Sequence, residues 1–113
     1  MDMILAPAAD GVVNVSLAGR LDTPGVDSIE TRLTEALVPA GTSAIVDLSR
    51  VEFVGSMAIR MFMTIARGLA EKKRKLVLYA PQALVAQVFE TVSLGDIIPI
   101  APDAAAATAL ARG

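Results

Sequence analysis

Neither cysteine nor histidine occurs among the 113 residues. The first absence excludes disulfides and thiolate chemistry, and the second removes the commonest general base and metal ligand. No uncharged apolar run reaches the roughly 18 residues that a membrane-crossing helix requires. Met1-Asp2-Met3-Ile4-Leu5-Ala6-Pro7 lacks the basic region and apolar run of a signal peptide, so a cytoplasmic protein without direct membrane insertion is expected. A net charge of −2 gives no pull toward nucleic acid or anionic lipid. Also missing are a glycine-rich loop ahead of a helix and carboxylates at ligand spacing; Asp22, Asp47 and Glu52 stand singly near strand ends. An enzyme of this size needs a nucleophile with its base, a metal cluster or a phosphate loop. The expectation is therefore a non-enzymatic protein, with no catalytic residue, no metal site and no cofactor.

What the chain does have is apolar bulk. Hydrophobic residues make up 54% and charged residues 19%, a composition that folds, and the length suits a single domain over residues 1–113. Met3 to Ala6 and Val12 to Ala18 read as two strands joined by a turn at Asp10-Gly11. In the second, Val13, Val15 and Leu17 alternate with Asn14 and Ser16, as in a strand with one buried face. Thr23-Pro24 signals a helix start, with the threonine oxygen as cap, and Val26, Ile29, Leu33, Ala36 and Leu37 recur at helical spacing until Pro39-Ala40-Gly41.

Thr42 to Leu48 reads as a buried strand, followed by a short connection carrying Val51 and Phe53. Gly55-Ser56 then opens a long helix whose core face is expected to hold Ile59, Phe62, Met63, Ala66, Leu69 and Ala70. Its end is marked by the cations Lys72 to Lys75, suited to the negative pole of a helix. Leu76 to Ala80 is an uncharged strand, expected to be covered on both faces. Pro81 starts a helix with an apolar stripe of Leu84, Val85, Val88 and Phe89, and Ser93 to Asp96 breaks it. Ile97 to Ile100 reads as a short edge strand, and Asp103 to Arg112 as an alanine-rich helix with a thin apolar face. The order β-β-α-β-α-β-α-β-α predicts an α/β fold: a mixed, mostly parallel sheet of about five strands with about four helices packed on it.

The start of the second helix is the candidate functional point. Ser56 could be an N-cap, worth about 1 kcal/mol. It could instead be a phosphorylation site, since the positive end of a helix favours a phosphate. If Ile59, Phe62 and Ala66 face the sheet, then Met57, Met61, Thr64 and Gly68 lie outward, at about 100° per residue. Exposed methionines beside an exposed serine make an adaptable contact surface.

At these residues the chain resembles the STAS domains of bacterial anti-sigma factor antagonists. Leu17-Ala18-Gly19-Arg20-Leu21-Asp22 is similar to the family's G-x-L-D segment before the first helix. Val46-Asp47-Leu48-Ser49-Arg50-Val51-Glu52-Phe53-Val54-Gly55-Ser56 is similar to its signature DLS-x-V-x-F-x-D-S-[ST]-G-L. Val85 to Leu94 looks like the family's late helix. The chain departs at Gly55-Ser56-Met57-Ala58, where the family has an acid, the serine, a second hydroxyl and a glycine.

The resemblance implies a STAS fold and partner switching in transcription regulation. The unphosphorylated antagonist would bind a serine-kinase anti-sigma factor and so free a sigma factor; the kinase would phosphorylate Ser56 with ATP, and a serine phosphatase would reverse it. The implied partner surface comprises Asp22, Gly55, Met57, Arg60, Met61 and Thr64. The alternative is a constitutive STAS adaptor in a transport or sensory complex, with Ser56 only a cap. A small-ligand module finds little support, because no polar cluster converges on an evident pocket.

Overall fold

Val15 and Leu17 are buried while Asn14, Ser16 and Ala18 remain partly exposed, and this period of two makes Val13–Leu21 a strand, β2. β1 (Asp2–Pro7) pairs with it antiparallel, from Asp2 opposite Ala18 to Pro7 opposite Val13. The expected hairpin is present. Its Asp10-Gly11 turn lies partly outside the described residues, which are 1–7 and 11–112 of this computed structural model.

The remaining elements follow in the expected order: α1 (Thr23–Leu37), β3 (Ala44–Val54), α2 (Ser56–Glu71), β4 (Leu76–Tyr79), α3 (Ala83–Thr91), β5 (Ile100–Ala101) and α4 (Ala104–Arg112). The five strands lie in the order β1-β2-β3-β4-β5, with β1 antiparallel and all other pairs parallel. This is the mixed, mostly parallel α/β sheet with four helices that the pattern predicts.

The sheet separates two apolar layers. Leu17, Val46, Leu48, Leu76 and Leu78 join α1, α2 and the Val85 and Phe89 side chains of α3 in the larger one. The alternate residues Ile45, Val77 and Tyr79 join Ala107 and Ala111 of α4 in the smaller. β4 is buried at every position because it has a strand on each side and helices on each face. In the smaller layer the Tyr79 hydroxyl donates to Asn14 Oδ1 at 3.2 Å. The alanine-rich helix is pinned at its start by Asp103, whose Oδ1 accepts from the Ala106 N–H at 2.9 Å.

Three expectations change. β3 does not stop at Leu48 but runs to Val54, because the register against β2 slips between Ser16 and Ala18 and again between Gly19 and Arg20. Each slip inserts an extra β3 residue, so the buried positions become Leu48, Val51 and Val54, a period of three instead of two. The last strand is Ile100–Ala101, since Leu94–Asp96 forms a 3-10 turn and Ile98 is buried beyond it. In α3, Leu84 leaves the apolar stripe and is 72% exposed.

The cations after α2 serve the neighbouring helix. Lys72 Nζ donates to the carbonyl oxygens of Val38 (2.6 Å) and Pro39 (3.1 Å), and Arg74 Nε to that of Gly41 (3.0 Å). They add donors to the carbonyl oxygens just beyond α1, where the Gly41 N–H already reaches Val38 at 3.1 Å.

Candidate functional site

Two helices start side by side at the C-terminal ends of β2 and β3. The Gly55 N–H donates to the Leu21 carbonyl at 3.0 Å, tying the exit of β3 to the exit of β2. On the β2 side the cap is Asp22, whose Oδ1 accepts from the Gly25 N–H at 2.9 Å. Thr23, the expected cap, is instead the first helical residue, because a carboxylate one position earlier already holds the free N–H.

The same one-residue displacement occurs on the β3 side. Gly55 is the N-cap of α2 and Ser56 the first residue of the helix. The reading of Ser56 as a cap is therefore corrected: a hydroxyl at the first helical position does not reach the N–H groups that a cap satisfies. Ser56 is exposed, and its hydroxyl makes no hydrogen bond among the described residues. Gly55 has no side chain to cap with, and no acid stands in the first turn of α2. The positive end of a 16-residue helix thus carries an uncommitted hydroxyl and no neutralising group of its own helix.

Phe53 forms one wall of the site. Its ring borders Gly55, where a β-carbon would lie 3.5 Å from Cε2, and it remains 39% exposed because the second slip of β3 turns it away from the core. Over this ring, 4.5 Å from its centroid, sits the guanidinium of Arg20. Arg20 Nε also stands 3.5 Å from Asp22 Oδ2. Asp22, Thr23, Phe53, Gly55, Ser56 and Met57 line an open cleft of about 260 Å³. Phe53 also lines a groove of about 450 Å³ that includes Leu84 and Val88 of α3.

The structure brings most of the expected residues together. Asp22, Gly55, Ser56 and Met57 share the cleft, and Arg60 and Thr64 continue from Ser56 along the exposed side of α2. Met61 does not belong with them. It is fully buried, with Ala58, Phe62, Ile65 and Leu69. The reason is α1, which lies alongside α2 on the side expected to face solvent; Gly68, also expected outward, abuts Val38. Met57 is half-buried, packed against the larger apolar layer. Ile59, Met63 and Ala66 are only partly buried, and Ala70 is exposed.

Sequence reasoning missed Arg20 and Phe53 as site residues. Both stand inside the motif segments quoted above, but only the slipped register of β3 shows that they stack. Among the described residues, no group of three or more acidic side chains could hold a metal ion, and no helix is long and apolar enough to cross a membrane.

Fold and site together define a small α/β module that presents a polar helix start beside an apolar rim. The chain belongs to the STAS domain family, which matches residues 3–107. It is 26% identical over 100 residues to BtrV of Bordetella bronchiseptica, a protein named as a candidate anti-sigma factor antagonist, covering 88% of this chain and 86% of that one. The crystal structure of an anti-sigma factor antagonist from Mycobacterium paratuberculosis superposes with a TM-score of 0.86 at 21% identity, over 99% of this chain and 94% of the other. SpoIIAA in its unphosphorylated form superposes with a TM-score of 0.74 at 22% identity, over 90% of each chain. The same fold is found in SpoIIAA of Bacillus in its phosphorylated form, with a TM-score of 0.68 at 21% identity, over 90% of this chain and 93% of that one.

Proposed function

We propose that this chain is an anti-sigma factor antagonist that binds a serine-kinase anti-sigma factor while unmodified and lets it go when Ser56 is phosphorylated. A serine phosphatase then restores the binding form. The proposed protein acts in the cytoplasm and performs no catalysis itself. The observation that carries this reading is the Ser56 hydroxyl, exposed at the first position of α2 and without a hydrogen bond among the described residues. In the transfer, Ser56 Oγ forms the new bond to the γ-phosphorus of ATP, the bond to the β-phosphate oxygen breaks, ADP departs and the hydroxyl proton is lost.

The names of the relatives support the antagonist role, and the physics supports the switch. A phosphate adds about −1.5 to −2 charges, welcome at a helix start but costly to bury against an apolar or acidic partner. Asp22 in the same cleft adds repulsion. The domain need not change shape.

The test is incubation with the cognate kinase and ATP. One phosphate should be added to the native chain and none to Ser56→Ala, and Ser56→Asp should weaken the complex. If Ser56 takes up no phosphate and charge at this position leaves binding unchanged, the reading falls. A constitutive adaptor, in which Ser56 is never modified, predicts instead that Ser56→Ala and Ser56→Asp both leave the complex intact.

A further inference from the structure

We infer that Arg20, seated on Phe53 beside the cleft, is the side chain that takes up the phosphoryl group on Ser56. This rests on Ser56 being the modified residue and adds what reads the modification within this chain. Arg20 is only loosely engaged: Nε lies 3.5 Å from Asp22 Oδ2, and neither terminal guanidinium nitrogen has a partner among the described residues. Asp22 is anchored independently, because its other oxygen accepts from the Gly25 N–H. The guanidinium can therefore swing without disturbing the α1 cap.

Its position is set by a short chain of contacts. Arg20 lies 4.5 Å from the centroid of the Phe53 ring, the edge of that ring borders Gly55, and Ser56 follows Gly55 in the same cleft. A dianionic phosphate competes with a single carboxylate for the guanidinium, and its oxygens match the planar fork in a two-pronged contact that the 3.5 Å pair to Asp22 does not make. Phosphorylation then moves Arg20 from Asp22 to residue 56, which leaves Asp22 unneutralised and the face of Phe53 bare. The rim presented to a partner changes in charge and in shape while the backbone stays in place.

The experiment uses the full chain with phosphoserine installed at position 56 during translation, so that it needs no kinase. The second ionisation of the phosphate is followed by 31P NMR. Arg20→Gln should raise its midpoint by about half a unit to one unit, in the direction expected when an opposite charge is removed. Arg20→Lys should recover part of the shift, and Arg60→Gln, four residues along α2, should move it less. No rise in Arg20→Gln, or an equal rise in Arg20→Gln and Arg60→Gln, overturns the inference. A kinase that ignores Ser56 would overturn the proposed function and leave this measurement standing.

Discussion

Gly68 of α2 sits against Val38 at the end of α1, so close that a β-carbon there would come within 3.0 Å of Val38 Cγ1. This contact brings α1 alongside α2 and converts a side of α2 that looks amphipathic into core. It decides which surface of α2 a partner can reach: Ser56, Arg60, Thr64 and Arg67 are exposed, and Met61 is not.

Substituting Met61 should therefore act on folding. Met61→Ala should cost about 2–5 kcal/mol by opening a cavity. Met61→Asp, an unpaired buried charge, should exceed about 4 kcal/mol. Urea unfolding checks both, and Met61→Leu should leave stability and partner affinity near native.

Ser56→Ala separates site from scaffold. With no hydrogen bond to the hydroxyl among the described residues, the change should alter unfolding free energy by no more than about 0.5 kcal/mol, against about 1 kcal/mol had it been a cap. Asp22→Ala, which removes a real cap, should cost about 1 kcal/mol, while Asp22→Asn should cost less because the amide oxygen can still accept.

Gly25 cannot carry a side chain. A β-carbon there would collide with the backbone oxygen of Arg20, at the turn that holds Asp22 in place. Gly25→Ala should lower stability by about 1–3 kcal/mol and shift the amide resonances of Arg20 and Asp22, seen in 1H-15N spectra.

Tyr79 predicts an alkaline weakness. Burial raises its pKa above the ordinary value, and the Asp47 charge acts the same way. The folded chain thus keeps the phenol proton at pH values where the unfolded chain releases it, so stability that is intact below about pH 10 declines as the pH climbs past it. Melting temperature should fall more steeply above pH 10 in the native chain than in Tyr79→Phe, and the two slopes should agree below pH 9, measured by circular dichroism.

Much of the architecture was legible because each element repeats its own period. Val15 and Leu17 mark β2, Val26 to Leu37 mark α1, and the Gly55-Ser56 junction marks where α2 begins. What the sequence hid arises where two elements meet. The slips of β3 depend on β2, so Val51 and Val54 look like connection residues until the strands are paired. The buried face of α2 depends on α1, so Met61 looks as free as Thr64. Caps moved by one residue at both helix starts, since Asp22 and Gly55 precede residues that would themselves make acceptable caps. Arg20 and Phe53 are 33 positions apart in the chain and meet only through the β2–β3 register.

The antiparallel run of β1 puts Asp2 opposite Ala18, and Met1 lies against Gly19, one residue before Arg20. Tags or fusion partners joined ahead of Met1 would therefore emerge next to the cleft and crowd whatever docks there. α4 lies on the other face of the sheet, in the smaller apolar layer with Val12, so a label attached after Arg112 leaves from the far side of the sheet. Binding assays on this domain should carry their handle on that far side.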